Sequence, residues 1–169
     1  MGAGKTTVAE LLGSWWGVPV RDTDHDVEVA AGRSISEIFV DDGEQAFRAL
    51  ERAAVASALT EHAGVLALGG GAVMDPDTRE LLAGHRVVFL SVGLSDAVKR
   101  VGLGTARPLL LGNVRGRIKQ LLDERTPVYR AVAGVVVDTD GLEPEQVAEQ
   151  VRTQVEHTWA QGRGEQTGE

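Results

Sequence analysis

Along this chain short apolar runs alternate with longer stretches in which apolar residues return every three or four positions. The runs are "VPVRD" (18–22), "VLALG" (65–69), "RVVFLSV" (86–92) and "GVVVDT" (134–139). Their length, their Val content and their Gly, Pro and Asp boundaries predict strands. The intervening pattern predicts helices at about 5–16, 43–63, 76–83, 94–102, 114–124 and 143–160, with start signals such as Pro76 before Asp77 and Ser95 before Asp96. In the 43–63 helix Phe47, Leu50, Ala54 and Ala58 recur at helical spacing and predict the buried stripe, with Arg48 off it. Strand and helix in alternation indicate the α/β class, a parallel sheet covered by helices on both faces in three layers. One segment fits neither element: "GLGTARPLLLGN" holds three glycines and a proline around Arg107, and reads as a lid over about 103–116. The domain is expected to span 1–160, followed by a disordered tail at 161–169, where "QGRGEQTGE" offers no apolar side chain.

Composition narrows the class. A length of 169 residues with 43% apolar and 4% aromatic content suits one domain with a small-aliphatic core. The formal net charge of −8 excludes a broad basic face, and with it nucleic acid or an anionic membrane as the expected partner. An anionic ligand would have to be held by a few local arginines. With no cysteine the chain has no disulfide or thiolate metal site, in keeping with a reducing cytoplasm. No apolar run reaches the roughly 18 residues of a membrane span.

The chemistry begins at the first residues. "GAGKTT" matches the end of GxxxxGK[ST], in which successive backbone N–H groups and a helix N-terminus face a polyphosphate. Lys5 can reach the β and γ phosphates and the Thr6 hydroxyl can meet Mg²⁺, although a glycine turn that happens to precede a helix would read the same way. The first glycine of the pattern falls ahead of Met1, so we expect the natural chain to carry a short apolar strand and a GxxG turn upstream, and the chain from Met1 to fold poorly. The strand "VPVRD" runs into "DTD", which sets Asp22 and Asp24 at a strand's carboxyl end, where open α/β sheets bind ligands. One carboxylate can hold water on Mg²⁺ and the other can take the proton of an attacking hydroxyl; the plain alternative is a solvated capping pair. Gly69, Gly70 and Gly71 after the next strand let a ligand approach the backbone. Arg48 in "FRALE" and Arg125 in "ERTPVY" are forks suited to a carboxylate, and Arg107 could swing onto a transferring phosphate. His25, His62, His85 and His157 show no metal-ligand spacing, and Trp15 and Trp16 are expected to pack at the end of the first helix.

Taken in order, "GAGKTT", "DTD", "GRSISEIF", "DGEQAFRALE", "LGGGAV", "ARPLL", "RTPVY" and "VDT" resemble shikimate kinase, a phosphate-loop enzyme of the nucleoside monophosphate kinase-like group, over residues 1 to about 145. The resemblance implies strand order 2-3-1-4-5 with the first strand absent from this chain, substrate-binding helices over about 23–63, and transfer of the ATP γ-phosphate to the 3-hydroxyl of shikimate with Mg²⁺, on the route to chorismate and the aromatic amino acids. It implies ATP phosphate contacts at Gly2, Ala3, Gly4, Lys5, Thr6 and Thr7, metal contacts at Thr6 and, through water, Asp22, and Arg107 closing over ATP. Asp24 would hold the substrate hydroxyls and act with Lys5 and Arg107 in catalysis. Arg48 and Arg125 would pair with the shikimate carboxylate beside Gly69, Gly70 and Gly71. A cytoplasmic monomer is expected. The alternatives are a kinase for another small hydroxy acid such as gluconate, or a nucleotide-binding protein whose turnover is impaired by the cut loop. Where the family commonly has a polar or basic residue in the loop over adenine, "DTDGLEP" offers Leu142 and Glu143.

Overall fold

The computed structural model describes residues 2–102 and 113–161. Arg107, most of the expected lid, and the tail from 162 onward lie outside the described residues. The four expected strands are present in shorter form: β1 (Val20–Asp22), β2 (Val65–Ala67), β3 (Val88–Ser91) and β4 (Val135–Asp138). They form two parallel pairs, with Val20 opposite Val65 and Asp22 opposite Ala67 in one, and Val88 opposite Val135 and Ser91 opposite Asp138 in the other. In the first pair the register sets the residues after Asp22 and those after Ala67 side by side at one carboxyl edge. The site is built there.

Between β2 and β3 no strand ladder runs among the described residues. In its place is a cavity of about 840 Å³, lined by Leu66 and Ala67 of β2, Val88 and Leu90 of β3, Val8 and Leu12 of the first helix, and Lys5 at its mouth. The pairs are those that the order 2-3-1-4-5 sets on either side of its first strand.

Helices α1 (Lys5–Trp16), α4 (Gly43–Glu61), α5 (Pro76–Leu82), α6 (Leu94–Gly102) and α8 (Pro144–Gln161) lie within a residue or two of their expected bounds. Asp75 caps α5 through the N–H groups of Asp77 and Thr78, with Pro76 at the first helical position. Helices α2 (Thr23–Ala31) and α3 (Ile35–Asp41) fill the segment expected to bind substrate, and Ser34 and Glu37 form a reciprocal capping box at the start of α3. Their buried residues Val27 and Ile38 pack with Phe47.

Three expectations need correction. Helix α7 (Val114–Val132) does not stop near 124 but continues through Pro127. An interior proline removes one backbone donor and crowds the preceding turn, and here the C-terminal turns are held by tertiary contacts of Arg125 and Tyr129, described below. The fully buried stripe of α4 is Phe47, Glu51, Val55 and Ala58, while Leu50 and Ala54 sit partly buried beside it. A carboxylate therefore lies in a row that apolar spacing assigned to the core. Trp15 and Trp16, at the end of α1, are 40% and 37% exposed, with the Arg152 guanidinium 5.5 Å from the Trp15 ring.

Candidate active site

The turn before α1 is left-handed at Gly2 (φ 71°) and Gly4 (φ 76°), a conformation that side-chain-bearing residues seldom adopt. Ala3 between them is buried with Val92, Ala97, Val101 and Ile118, which anchors the turn on α6 and α7. No side chain caps α1. Its first-turn N–H groups, with the positive end of the helix dipole behind them, are therefore available to an anion. Thr6 Oγ1 donates to Asp22 Oδ2 at 2.8 Å, and Asp22 Oδ1 accepts from the N–H of Asp24 at 3.0 Å. With its proton directed at Asp22, the Thr6 hydroxyl presents its lone pairs elsewhere. This all-oxygen pair fits a hard divalent cation held directly by the threonine and through water by the aspartate. Lys5 and Thr7 flank it.

Thr23 turns away from both aspartates. It is fully buried, donates to the Ala67 carbonyl at 3.4 Å and accepts from the Gly69 N–H at 3.0 Å, which fastens the start of α2 to the start of the glycine run. Asp24 and Glu51 both border Gly69: a Cβ added there would lie 2.5 Å from Asp24 Oδ1 and 2.7 Å from Glu51 Oε1. A side chain at 69 would push both carboxylate ends aside. Glu51 is buried, and Arg48 Nη1 donates to it at 2.6 Å while Arg48 Nη2 donates to Glu44 at 3.0 Å. Burial raises the Glu51 carboxyl above its ordinary range, Arg48 and Arg125 pull it back, and the negative charge of Asp24 adds to the rise. For Arg48, burial works against the charge, but Glu51 and Glu44 outweigh it and its pKa is raised.

Gly71 lies under the Arg48 guanidinium, so that a Cβ there would fall 2.7 Å from Cζ and 2.8 Å from Nη2. From the other side Arg125 Nη1 donates to the Gly70 carbonyl at 3.3 Å, and the Tyr129 hydroxyl donates to the same oxygen. Asp24, Arg48 and Arg125, far apart in sequence, are thereby gathered around the Gly69–Gly71 loop, and the Thr6–Asp22 pair stands one residue from Asp24. The arrangement places two cationic forks beside a glycine loop and a carboxylate next to a phosphate loop. It can orient an acid bearing a hydroxyl group while a base faces that hydroxyl.

Several residues of the site were missed in the sequence. Glu51 carried a usable signal, three residues after Arg48 and four after Phe47, and Tyr129 follows Arg125 by one helical turn. Arg100 on α6 carried none. It donates to the Gly2 carbonyl at 3.2 Å and, through Nη2, to the Thr139 carbonyl at 2.7 Å, tying the phosphate loop to the turn after β4. In that turn Asp140 accepts from the Gly93 N–H at 2.7 Å and the Gly141 N–H donates to Asp96 at 2.9 Å. The loop of Leu142 and Glu143 is thus shaped by backbone contacts. Among the described residues no His, Asp and Glu cluster could hold a metal by side chains alone, and no helix is long and apolar enough to cross a membrane.

The shikimate kinase family profile matches residues 1–156. A shikimate kinase of Thermobifida fusca is 58% identical over 148 residues, which are 88% of this chain and 86% of that protein. One from Salinispora arenicola is 60% identical over 150 residues, 89% of this chain and 90% of the relative. The solved shikimate kinase from Acinetobacter baumannii in complex with shikimate superposes with a TM-score of 0.88 at 34% identity, covering 92% of this chain and 88% of that one. The order of motifs, the two strand pairs and the gathering of arginines at the glycine loop thus meet a match running nearly the length of the chain, which belongs to the shikimate kinase family.

Proposed function

We propose that the chain transfers the γ-phosphate of ATP to the 3-hydroxyl of shikimate, working as a cytoplasmic monomer. The observation that carries this reading is the convergence of Asp24, Arg48 and Arg125 on Gly69–Gly71, one residue from the Thr6–Asp22 pair. The N–H groups of Gly4, Lys5, Thr6 and Thr7, with those of Gly2 and Ala3 in the turn, bind the phosphates, and the Lys5 ammonium neutralises charge at their outer end. Thr6 and, through water, Asp22 hold Mg²⁺, which when bound screens the triphosphate charge and fixes its geometry. Arg48 and Arg125 fix the substrate carboxylate by charge-assisted hydrogen bonds, and Gly70 meets the ring through its backbone. Asp24 accepts the proton of the attacking hydroxyl and orients it. Arg107, outside the described residues, is assigned to the charge that develops on the phosphoryl group.

A second reading is a nucleotide-binding protein with impaired turnover, whose α1 N-terminus, free of a side-chain cap, would still receive an anion. A coupled ADP-release assay with shikimate, with gluconate and with no acceptor separates the two and also tests the acceptor. Shikimate-dependent release is expected, and acceptor-independent or gluconate-dependent release alone would overturn the reading. In the same assay Asp24→Asn is expected to keep ATP affinity and lose turnover by a factor on the order of 10² to 10⁴. Wild-type turnover in that variant would remove Asp24 from the role of base.

A further inference from the structure

We infer that Tyr129 is a positioning residue for the acceptor pocket: its hydroxyl fixes the Gly70 carbonyl toward α7, and so sets the direction of the Gly71 N–H in the same peptide toward the bound acid and holds Arg125 beside the loop. The inference rests on the site reading above and names a residue which that reading does not use.

Arg125 and Tyr129 are one helical turn apart on α7, on either side of Pro127 in the chain, and both donate to the Gly70 carbonyl. The Arg125 bond is long, at 3.3 Å, and engages one nitrogen of a five-donor fork, leaving the others for an anion. The tyrosine hydroxyl has a single proton to give, and it fixes the carbonyl from a rigid ring. That ring is held against Phe89 of β3 at 4.9 Å between centroids, tilted by 37°. Burial raises the Tyr129 pKa, with Arg125 and Arg48 opposing, so the hydroxyl remains a donor through the neutral range. On the loop itself, Gly69 N–H donates to Thr23 and Gly69 O accepts from Ala72, while among the described residues the N–H groups of Gly70 and Gly71 have no acceptor. A carbonyl pinned on one side of a peptide directs the N–H of the same peptide, that of Gly71, to the other. The pin thus sets which way a two-glycine stretch, free to adopt many conformations, faces its ligand. Without it Arg125 becomes the sole partner of a part-buried carbonyl, and its fork is drawn away from the acid.

The test is Tyr129→Phe in the full chain, which keeps the ring on Phe89 and deletes only the hydroxyl. Shikimate Kd by titration calorimetry and shikimate KM are expected to rise by about 3- to 10-fold, the range for one lost hydrogen bond in a preorganised site, with kcat within about threefold and ATP KM unchanged. Arg125→Ala run beside it separates two failures. If Arg125→Ala weakens shikimate binding and Tyr129→Phe does not, the positioning role is overturned and the carboxylate pocket stands. If neither does, the pocket is elsewhere and both ideas fall. Equal rises in shikimate and ATP KM for Tyr129→Phe would show general loosening of α7 and would also overturn the inference.

Discussion

Gly71→Ala tests whether the glycine loop serves the ligand or only the fold. Gly71 has φ −97° and ψ −17°, which alanine adopts without strain. Its added methyl would clear the backbone and strike the Arg48 guanidinium, 2.7 Å from Cζ and 2.8 Å from Nη2 where ordinary contact begins near 3.4 Å. The guanidinium must therefore retreat, and the 2.6 Å bond to Glu51 must stretch or break. The expected penalty falls on binding, as one lost charge-assisted hydrogen bond of roughly 1.5 to 3 kcal/mol, or about 10- to 150-fold in shikimate affinity. Folding should also lose stability, because the buried Glu51 carboxylate is left short of its partner, and restricting the unfolded chain at this position returns only about 0.4 to 1 kcal/mol of that loss. Titration calorimetry with shikimate and a thermal melt on the same preparation read the two quantities apart. Unchanged shikimate affinity at an unchanged Tm would refute the placement of Arg48 in the carboxylate pocket.

Glu51→Gln is expected to alter the pH dependence of stability. Burial holds the native Glu51 pKa above its unfolded value of about 4.3, so the stability it contributes is whole below that value and is lost as pH rises through the native one. The melting temperature of the variant relative to wild type should therefore climb from pH 4 toward neutrality, and parallel Tm profiles would contradict the burial argument. Gly64→Ala is expected to strike backbone: a Cβ there collides with the Pro19 carbonyl oxygen, the acceptor of the Val65 N–H where β1 and β2 meet. Overpacking of this kind costs roughly 1 to 3 kcal/mol, a fall in Tm of roughly 2 to 12 °C at this chain length, with ligand affinities intact in the folded fraction; an unshifted melt would show that the strand pair yields.

The elements legible in the sequence were those with strong local signals. Valine-rich runs bounded by turn residues marked all four strands, and capping residues marked α5. Helices α2 and α3 are short and carry several polar residues, so their periodicity was faint and only the family resemblance pointed to helices there. The end of α7 was misplaced because Pro127 is a sound local stop signal, and what overrides it, Tyr129 and Arg125 reaching Gly70, is contact across more than fifty positions. In the site, Asp24, Arg48 and Arg125 were visible as chemistry at strand ends and in motifs. Glu51 could have been found from its spacing to Arg48 and Phe47, though not its burial, whereas Arg100 could not, because the two-loop bridge it makes exists only once the chain has folded.

The cavity between β2 and β3 has a consequence for how the molecule opens. Residues of β2 and β3 line the same cavity of about 840 Å³, and among the described residues no ladder joins the two pairs. The pair carrying Asp22 and the glycine loop, and the pair carrying Thr139, are joined through α1 rather than by a continuous ladder. Each can then lose its amide protection at its own free energy, below that of global unfolding. In hydrogen exchange the pair carrying Asp22 and the pair ending at Asp138 should separate into two kinetic classes.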